Sequence, residues 1–420
     1  MPFVAARRGV ARNVVLNDLS LAARNIARQR RRSAFALAAI AFGVAALIVA
    51  NGFIDWILFK HRETTITSQF GHIQVTRKGY FEEGTADPFG YRLPQRSAAL
   101  DAIERLPTLR VLGRRLAFSG LISKGDETVS FVAEGVEPDK ERILSSSLRI
   151  SDGAVLSEND PNGIILGLGL AANLGVGVGD TVVLIANTAR GGVNAVECRV
   201  RGLFATMSKA YDDVALRVPL ATAQTLLKTS GAHVWVMMLD ETEQARPMLS
   251  TLRERFPNED LAFTEWVDLA DFHVKAVSLF AKQVGVIRSI IAVIIVLSIF
   301  NTMMMNVMER TSEIGTSMAV GVTRRRILRM FLVEGAMLGA VGGILGVALG
   351  AALAWAISRI GIPMPPPPGQ SWGFIAEIMV STRLSVEAFL LAVGSTLLAS
   401  VYPAWKASRM VIVDALRFYR

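Results

Sequence analysis

Four stretches of this chain run for the thickness of a bilayer with almost no charge, and they restrict the fold more than any other feature. Residues 35–59 are apolar apart from Asn51 and Asp55, and residues 289–307 are apolar apart from Ser, Thr and Asn. Residues 335–357 carry no charge, and residues 386–402 carry one, Glu387, at the edge. A helix rising ~1.5 Å per residue needs about 20 apolar residues to cross roughly 30 Å of hydrocarbon. A helix packed on a water-soluble core keeps a polar face; residues 335–357 have none. Composition agrees: 19% of residues are charged and mean hydropathy is +0.40, against about 25% charged in soluble domains. The same balance excludes disorder, which needs low hydrophobicity and high net charge.

The expected fold is a membrane protein with four transmembrane helices and a large α+β extracytoplasmic domain inserted between the first and second. Charge placement orients it. Eight Arg and one acid, Asp18, precede Ser33. Residues 309–329 carry five Arg against two Glu, and Lys406, Arg409, Arg417 and Arg420 follow the fourth stretch against Asp414. Residues 60–275 instead hold 24 Lys and Arg against 28 Asp and Glu, so the rest of the chain carries the whole positive balance. Short basic segments stay on the cytoplasmic side. Both termini are therefore expected inside, and the 60–274 domain and the 359–385 Pro-rich loop outside. The expected spans are residues 34–59, 275–308 (with an outer stalk), 327–358 and 386–403. Residues 309–326 form an inner connection and residues 404–420 a cytoplasmic tail. The pI near 10 does not argue for nucleic acid, because the basic residues flank spans, where topology and anionic headgroups account for them. No nucleic-acid partner is expected; membrane lipid is.

A cleavable signal peptide has an apolar core of about 7–15 residues. The first stretch is longer and reads as an uncleaved anchor. Before it, Leu16, Leu19, Ala23 and Ile26 recur at helical spacing ahead of the Arg cluster, which suits an amphipathic helix over residues 1–33 at the inner interface. The single cysteine, Cys198, excludes an internal disulfide framework.

The outside segment is long enough for a substantial core and reads as two subdomains. Strands are expected at 72–76, 115–123, 128–135, 164–166, 181–186, 195–204 and 234–239, with Gly125 and Gly191-Gly192 in turns. Helices are expected at 168–174, 219–228 and 241–256. Its chemistry is bland. Gly167, Gly169, Gly175, Gly177 and Gly179 do not fit G-x-G-x-x-G, and no Gly-Lys pair exists for a Walker A loop. Gly369-Gln370-Ser371-Trp372-Gly373 matches a nucleophile elbow, but follows a Pro run with no His after it, and reads as coincidence. The four His (61, 72, 233, 273) lack metal-ligand spacing. No catalytic residue, cofactor or metal is expected.

The small residues of the third stretch fall at spacing four: Gly335, Gly339 and Gly343, then Gly342, Gly346 and Gly350. Such faces let helices approach closely. Glu334, just before them, reads as interfacial. Phe42, Leu47, Phe300 and Met304 offer apolar side chains on the first two spans as a candidate substrate-facing set, Met being suited to varied apolar ligands. Between the second and third stretches lies a short inner segment with helical character, which Ser312 can cap and Gly321 can end. Ile314, Met318 and the Arg324-Arg325-Arg326 triplet are expected to form an apolar and charged surface facing the cytoplasm.

This segment carries a resemblance. N-T-M-M-M-N-V-M-E-R-T-S-E-I-G, then A-V-G-V-T-R-R-R-I, F-L-V-E-G and the C-terminal Y-P-A-W-K-A-S-R-M-V-I-V-D-A-L-R resemble the FtsX-like/MacB-like permease family of ABC transporters. I-I-L-G-L-G-L-A-A-N-L-G-V-G-V-G-D is similar to that family's periplasmic domain, and G-H-I-Q-V to its lipoprotein-releasing branch. The resemblance implies a bacterial inner-membrane subunit, not itself an enzyme, driven by a separate ABC ATPase dimer and paired with a second permease, identical or paralogous. It assigns ATPase coupling to Glu309, Arg310, Glu313, Ile314, Gly315, Met318, Arg324 and Arg325, and implies mechanotransmission to the outside domain. No fused ATPase lies within these residues, unlike the MacB branch, and the outside domain is larger than in the cell-division branch. The implied function is extraction of a lipoprotein or other amphiphile toward a periplasmic acceptor. Efflux of small molecules or peptides with an adaptor, and a non-transporting scaffold that controls an outside hydrolase, are the alternatives.

Overall fold

The computed structural model describes residues 30–84, 87, 89–206, 208–257, 259–365, 373–412 and 415, with Arg24 and Arg28. The N-terminal amphipathic pattern, most of the C-terminal tail and the Gln370-Ser371-Trp372 part of the elbow-like motif lie outside the described residues. The chain divides into two units, residues 1–57, 277–362 and 375–420 in one and residues 58–276 and 363–374 in the other. The first long helix, α1, is Arg30–Thr65, and a π-helical turn, Ile66–Phe70, follows it.

The second unit is built on ten strands: β1 (Ile73–Arg77), β2 (Leu109–Lys124), β3 (Glu127–Val136), β4 (Arg149–Gly153), β5 (Gly163–Gly167), β6 (Thr181–Asn187), β7 (Val193–Ala205), β8 (Ala215–Pro219), β9 (Val234–Leu239) and β10 (Leu261–Glu265). They join in the order β10-β1-β9-β2-β3-β8-β5-β7-β4, with β6 paired to β2 and β7. The sheet is mixed: β3 with β8 and β5 with β7 run parallel, the other pairs antiparallel. Its longer helices are α2 (Ala98–Glu104), α3 (Pro138–Leu144), α4 (Leu168–Leu174), α5 (Leu220–Leu227) and α6 (Ala245–Arg255).

The expected hairpin forms, with Gly125 at φ +60 in its turn, where a side chain would be strained. Strand β9 and helix α4 fall where the sequence places them. Strands β4, β8 and β10 were not anticipated. β9 is buried on both faces. Its Trp235, Met237 and Leu239 pack with α2 and α6, while Val234, Val236 and Met238 pack with Ile66, Leu144 and Trp266 on the other side. A second cluster gathers β2, β3 and β5–β8 beneath α4 and α5.

The least expected feature of this unit is a buried ionic cluster. Arg217 on β8 is 1% exposed, and Arg115 and Glu141 are buried beside it. Glu141 Oε1 accepts from Arg115 at 2.7 Å and from Arg217 at 3.0 Å, and Arg217 Nε donates to Glu134 at 3.1 Å. Further donors reach backbone: Arg217 donates to the Ser68 carbonyl at 3.1 Å and Arg115 to that of Gln69. Two guanidiniums thereby clamp the turn that leaves α1 onto β2, β8 and α3. Burial opposes ionisation of Glu141, but Arg115, Arg217 and the Ser145 hydroxyl outweigh it and hold the carboxyl below its ordinary value. A carboxylate whose pKa is depressed by folding stabilises the fold above its unfolded pKa and loses that contribution as pH falls through the folded one. The melting temperature of the solubilised chain is therefore expected to hold near neutrality and to drop as pH falls below about 4.5, the unperturbed Glu value. An acid-insensitive melt from pH 7 to 3 would contradict this.

The first unit contains α1 up to residue 57, most of α7 (Asp271–Glu309), α8 (Thr311–Ala319), α9 (Arg324–Ile360) and α10 (Thr382–Ser408). Helices α1, α7, α9 and α10 are long and apolar enough to cross a membrane. Gly43 lies against Ile291 and Ile295, and Arg32 pairs with Glu309, so α7 runs antiparallel to α1. Gly342, Gly346 and Gly350 meet Ile40, Val44 and Ile48 in the same sense, so α9 is parallel to α1. Gly335, Gly339 and Gly343 meet Ser400, Thr396 and Phe389 in the reverse sense, so α10 is antiparallel to α9. These directions alternate along the chain, as four successive crossings require.

Candidate functional site

The segment singled out by the sequence is the helix α8 with its flanks. Arg310 separates α7 from α8, and no side chain caps the start of α8. Ser312, expected as the cap, lies one residue inside. Gly321, at φ +102, takes a left-handed turn open to a residue without Cβ, and Arg324 begins α9. Within α8, Thr311, Ile314, Gly315 and Met318 share one face at spacings of three and four, and all four are buried. Ile314, 3% exposed, joins a core with Ala36, Met303, Val307, Ile327 and Phe331. This corrects the expectation that Ile314 and Met318 face the cytoplasm. A one-sided helix has a single apolar stripe, and the neighbouring helices take it.

The accessible face is Glu313, Thr316 and Ser317, followed by Val320 and the Arg324-Arg325-Arg326 triplet. Val320 is 83% exposed. Sequence reasoning missed it. The available signal was its phase: it follows Met318 by two residues, off the buried stripe. Acidic groups on this surface are bridged to the N-terminal Arg cluster. Arg32 pairs with Glu309, Arg28 with Glu313 at 3.6 Å, and Arg310 with Glu313 at 3.2 Å. Exposed ion pairs contribute about 0–1 kcal/mol, so this arrangement does little for folding. The triplet is mildly unfavourable locally, since cations at a helix N-terminus oppose its dipole by roughly 0.3–1 kcal/mol each. Three exposed Arg kept there suit contact with an acidic surface.

Glu334 is a correction of another kind. Expected at the interface, it is 2% exposed within the bundle. Its Oε1 accepts from Asn306 at 3.3 Å, and its Oε2 lies 3.6 Å from an Arg310 nitrogen.

The glycines of α9 do what their spacing implied, on two faces. A Cβ at Gly346 would lie 2.6 Å from Val44 Cβ, and at Gly342 2.9 Å from Ile40 Cβ. One at Gly339 would strike Thr396 Oγ1 and lie 3.0 Å from Val393 Cα. The proposed substrate-facing set does not hold together. Leu47 is 1% exposed and belongs to the helical core, because it lies on the stripe of α1 shared with Ile40, Val44 and Ile48. Phe42 is exposed, Met304 half-buried, and Phe300 lies tilted against Tyr402 with 5.8 Å between ring centres. Among the described residues no His, Cys, Asp or Glu cluster could hold a metal ion.

Four long apolar helices of alternating direction, a mixed domain after the first, and a short amphipathic helix between the second and third are the features of a polytopic membrane protein. Residues 33–253 match the model described as MacB-like periplasmic core domain, and residues 285–412 that described as FtsX-like permease C-terminal. The chain belongs to this family of ABC transporter permeases, which are inner-membrane proteins. Among curated relatives, the lipoprotein-releasing system transmembrane protein LolC of Xylella fastidiosa (strain Temecula1) is 24% identical over 71% of this chain and 76% of its own. LolC of Neisseria meningitidis serogroup B is 22% identical over 93% of this chain and 97% of its own. The macrolide export ATP-binding/permease protein MacB of Syntrophobacter fumaroxidans is 29% identical over 45% of this chain and 24% of its own. Among solved structures, the periplasmic region of MacB from Actinobacillus actinomycetemcomitans matches with a TM-score of 0.37 and 12% identity, over 51% of this chain and 97% of that one.

Proposed function

We propose that this chain is the membrane subunit through which a separate ATPase drives extraction of a lipoprotein or similar amphiphile from the inner membrane. In this reading residues 34–59, 275–308, 327–358 and 386–403 cross the membrane. Residues 60–274 and 359–385 lie outside, and residues 309–326 and both termini lie inside. The ATPase docks on the exposed face of α8. The observation that carries the reading is this surface: Val320 bare beside Glu313 and the Arg324-Arg325-Arg326 triplet, while Ile314, Gly315 and Met318 anchor the helix from behind. Mechanotransmission is supported by length. Helices α1 and α7 run 36 and 39 residues, against about 20 needed to cross the bilayer. The relatives named as lipoprotein-releasing support the substrate class. A second permease subunit and a periplasmic acceptor complete the assembly.

Reconstitution with its ATPase in liposomes carrying an acylated protein tests the reading; ATP-dependent release supports it, and no release over background refutes it. The docking surface makes a separate prediction. Val320→Asp is expected to reduce ATPase co-purification by about tenfold or more, as for an interface anchor costing at least ~1.4 kcal/mol, with an unchanged melting temperature. Gly315→Arg, in contrast, places a charge in the core and is expected to lower the melting temperature of the chain itself. Undiminished capture by Val320→Asp would remove α8 as the docking site.

A further inference from the structure

A cavity of about 720 Å³ lies in the second unit, bounded by the loop before α2, the loop before β9 and the start of β10. Sites for small ligands run to roughly 300–1,000 Å³ and are largely preformed. The walls of this one are pinned. Arg77, at the end of β1, donates to the Gly90 carbonyl at 2.8 Å and to Asp260 at 2.5 Å. Leu93 and Ala232 exchange backbone hydrogen bonds at 2.7 and 3.2 Å. Arg92 donates to the Phe89 carbonyl at 2.7 Å and to the Thr229 hydroxyl.

The lining carries polar groups that the fold leaves unmatched. Trp235 on β9 is 0% exposed and lines the cavity with Leu93 and Leu261, members of the same buried cluster. Its indole N–H is buried with no acceptor among the described residues, whereas a buried Trp ordinarily finds a partner for this group. Arg92 lines the same cavity, and its two bonds go to a carbonyl and a hydroxyl. It has no carboxylate partner among the described residues, and a guanidinium has five N–H donors in all. Of the two carboxylates on the rim, Asp260 is held by Arg77, while Glu259 has no cation among the described residues. Two donors, one acceptor and an apolar wall thus face one space.

We propose that this cavity binds a carboxylate that adjoins an amide N–H and an apolar side chain, the chemistry shared by an N-acyl amino acid and a peptide C-terminus. Arg92 and the Trp235 N–H receive the carboxylate, Glu259 accepts from the amide N–H, and Phe89 and Leu93 take the apolar side chain. A carboxylate satisfies both donors at once, through a charge-assisted bond to the guanidinium and a second to the buried indole. No residue of α8 or of the spans takes part, so the site stands or falls apart from the docking and extraction readings.

Calorimetric titration of the full chain in lipid nanodiscs tests it, with N-acetyl-leucine as the probe and N-acetyl-leucinamide as the neutral control. The acid is expected to bind about tenfold or more tighter than the amide, which lacks the charge-assisted pairing. Arg92→Gln is expected to weaken the acid by about tenfold and to change the amide little. Trp235→Phe keeps an aromatic ring and removes the unmatched N–H; it is expected to weaken the acid by about threefold or more. The smaller ring also alters packing, so melting temperatures are read beside both variants, and Arg92→Gln carries the test if Trp235→Phe is poorly folded. Acetyl-Ala-Ala-Leu separates the two sources: tighter binding than N-acetyl-leucine assigns the site to chain ends, and equal or weaker binding to the free acid. No binding of either acid at millimolar concentration, equal affinity for acid and amide, or unchanged affinity in a folded Arg92→Gln overturns the proposal.

Discussion

Replacing Arg217 with alanine is expected to destabilise the periplasmic domain by about 3–5 kcal/mol, the usual consequence of stranding one member of a buried ion pair. The side chain is almost fully buried and donates to Glu134, Glu141, Ser145 and the Ser68 carbonyl. Its removal takes one of two guanidiniums from the Glu141 carboxylate, which keeps Arg115 and the Ser145 hydroxyl, and takes one of two donors from the buried Ser68 carbonyl. Domains are stable by only about 5–15 kcal/mol, so the variant is expected to lose much of its folded population at growth temperature. Limited proteolysis within residues 58–276, alongside the melting temperature of the full chain, measures the effect. Arg217→Lys is expected to fall between wild type and alanine, since one ammonium cannot reproduce the planar set of bonds. A shift of a degree or less for Arg217→Ala would mean that the cluster contributes little net stability.

The second large effect concerns α9. Glycine is ordinarily unfavourable in a helix, by about 1 kcal/mol relative to alanine. Gly394 in α10 has open space where a Cβ would stand, so Gly394→Ala is expected to be neutral or slightly stabilising. Gly339→Ala faces the same propensity gain and loses it, because the new methyl meets Thr396 Oγ1 and the Val393 backbone. Over-packing costs about 1–3 kcal/mol, and a backbone Cα cannot rotate away. Gly339→Leu is expected to separate α9 from α10 outright, with aggregation on detergent extraction, whereas Gly394→Leu points outward and is tolerated. Equal behaviour of the two positions would show that close packing of α9 on α10 is not what these glycines provide.

Much of the architecture was legible because its signals are local. Hydropathy summed over a bilayer's thickness marks four spans, spacing four marks the glycine faces, and alternation marks most strands. β8 escaped for a physical reason. Its five buried residues include an arginine, which reads as a solvent-facing position until Glu134 and Glu141, contributed by β3 and α3, arrive beside it. The candidate site was legible in place but not in orientation. The motif falls on the helix α8, yet Ile314, Gly315 and Met318 are core and Val320 is surface. The choice between the two faces belongs to the helices packed around it, α1, α7 and α9, which cover one of them.

Taken alone, the amino-acid order determined the membrane class, the number of long apolar helices and the inserted domain, since each follows from transfer energies and periodicities that add up along the backbone. Tertiary structure decided which charges are buried and with whom: Arg217 with Glu134 and Glu141, and Arg310 held between Glu313 and Glu334. Desolvation and pairing depend on distance in space, and no one-dimensional pattern encodes which carboxylate a guanidinium will meet.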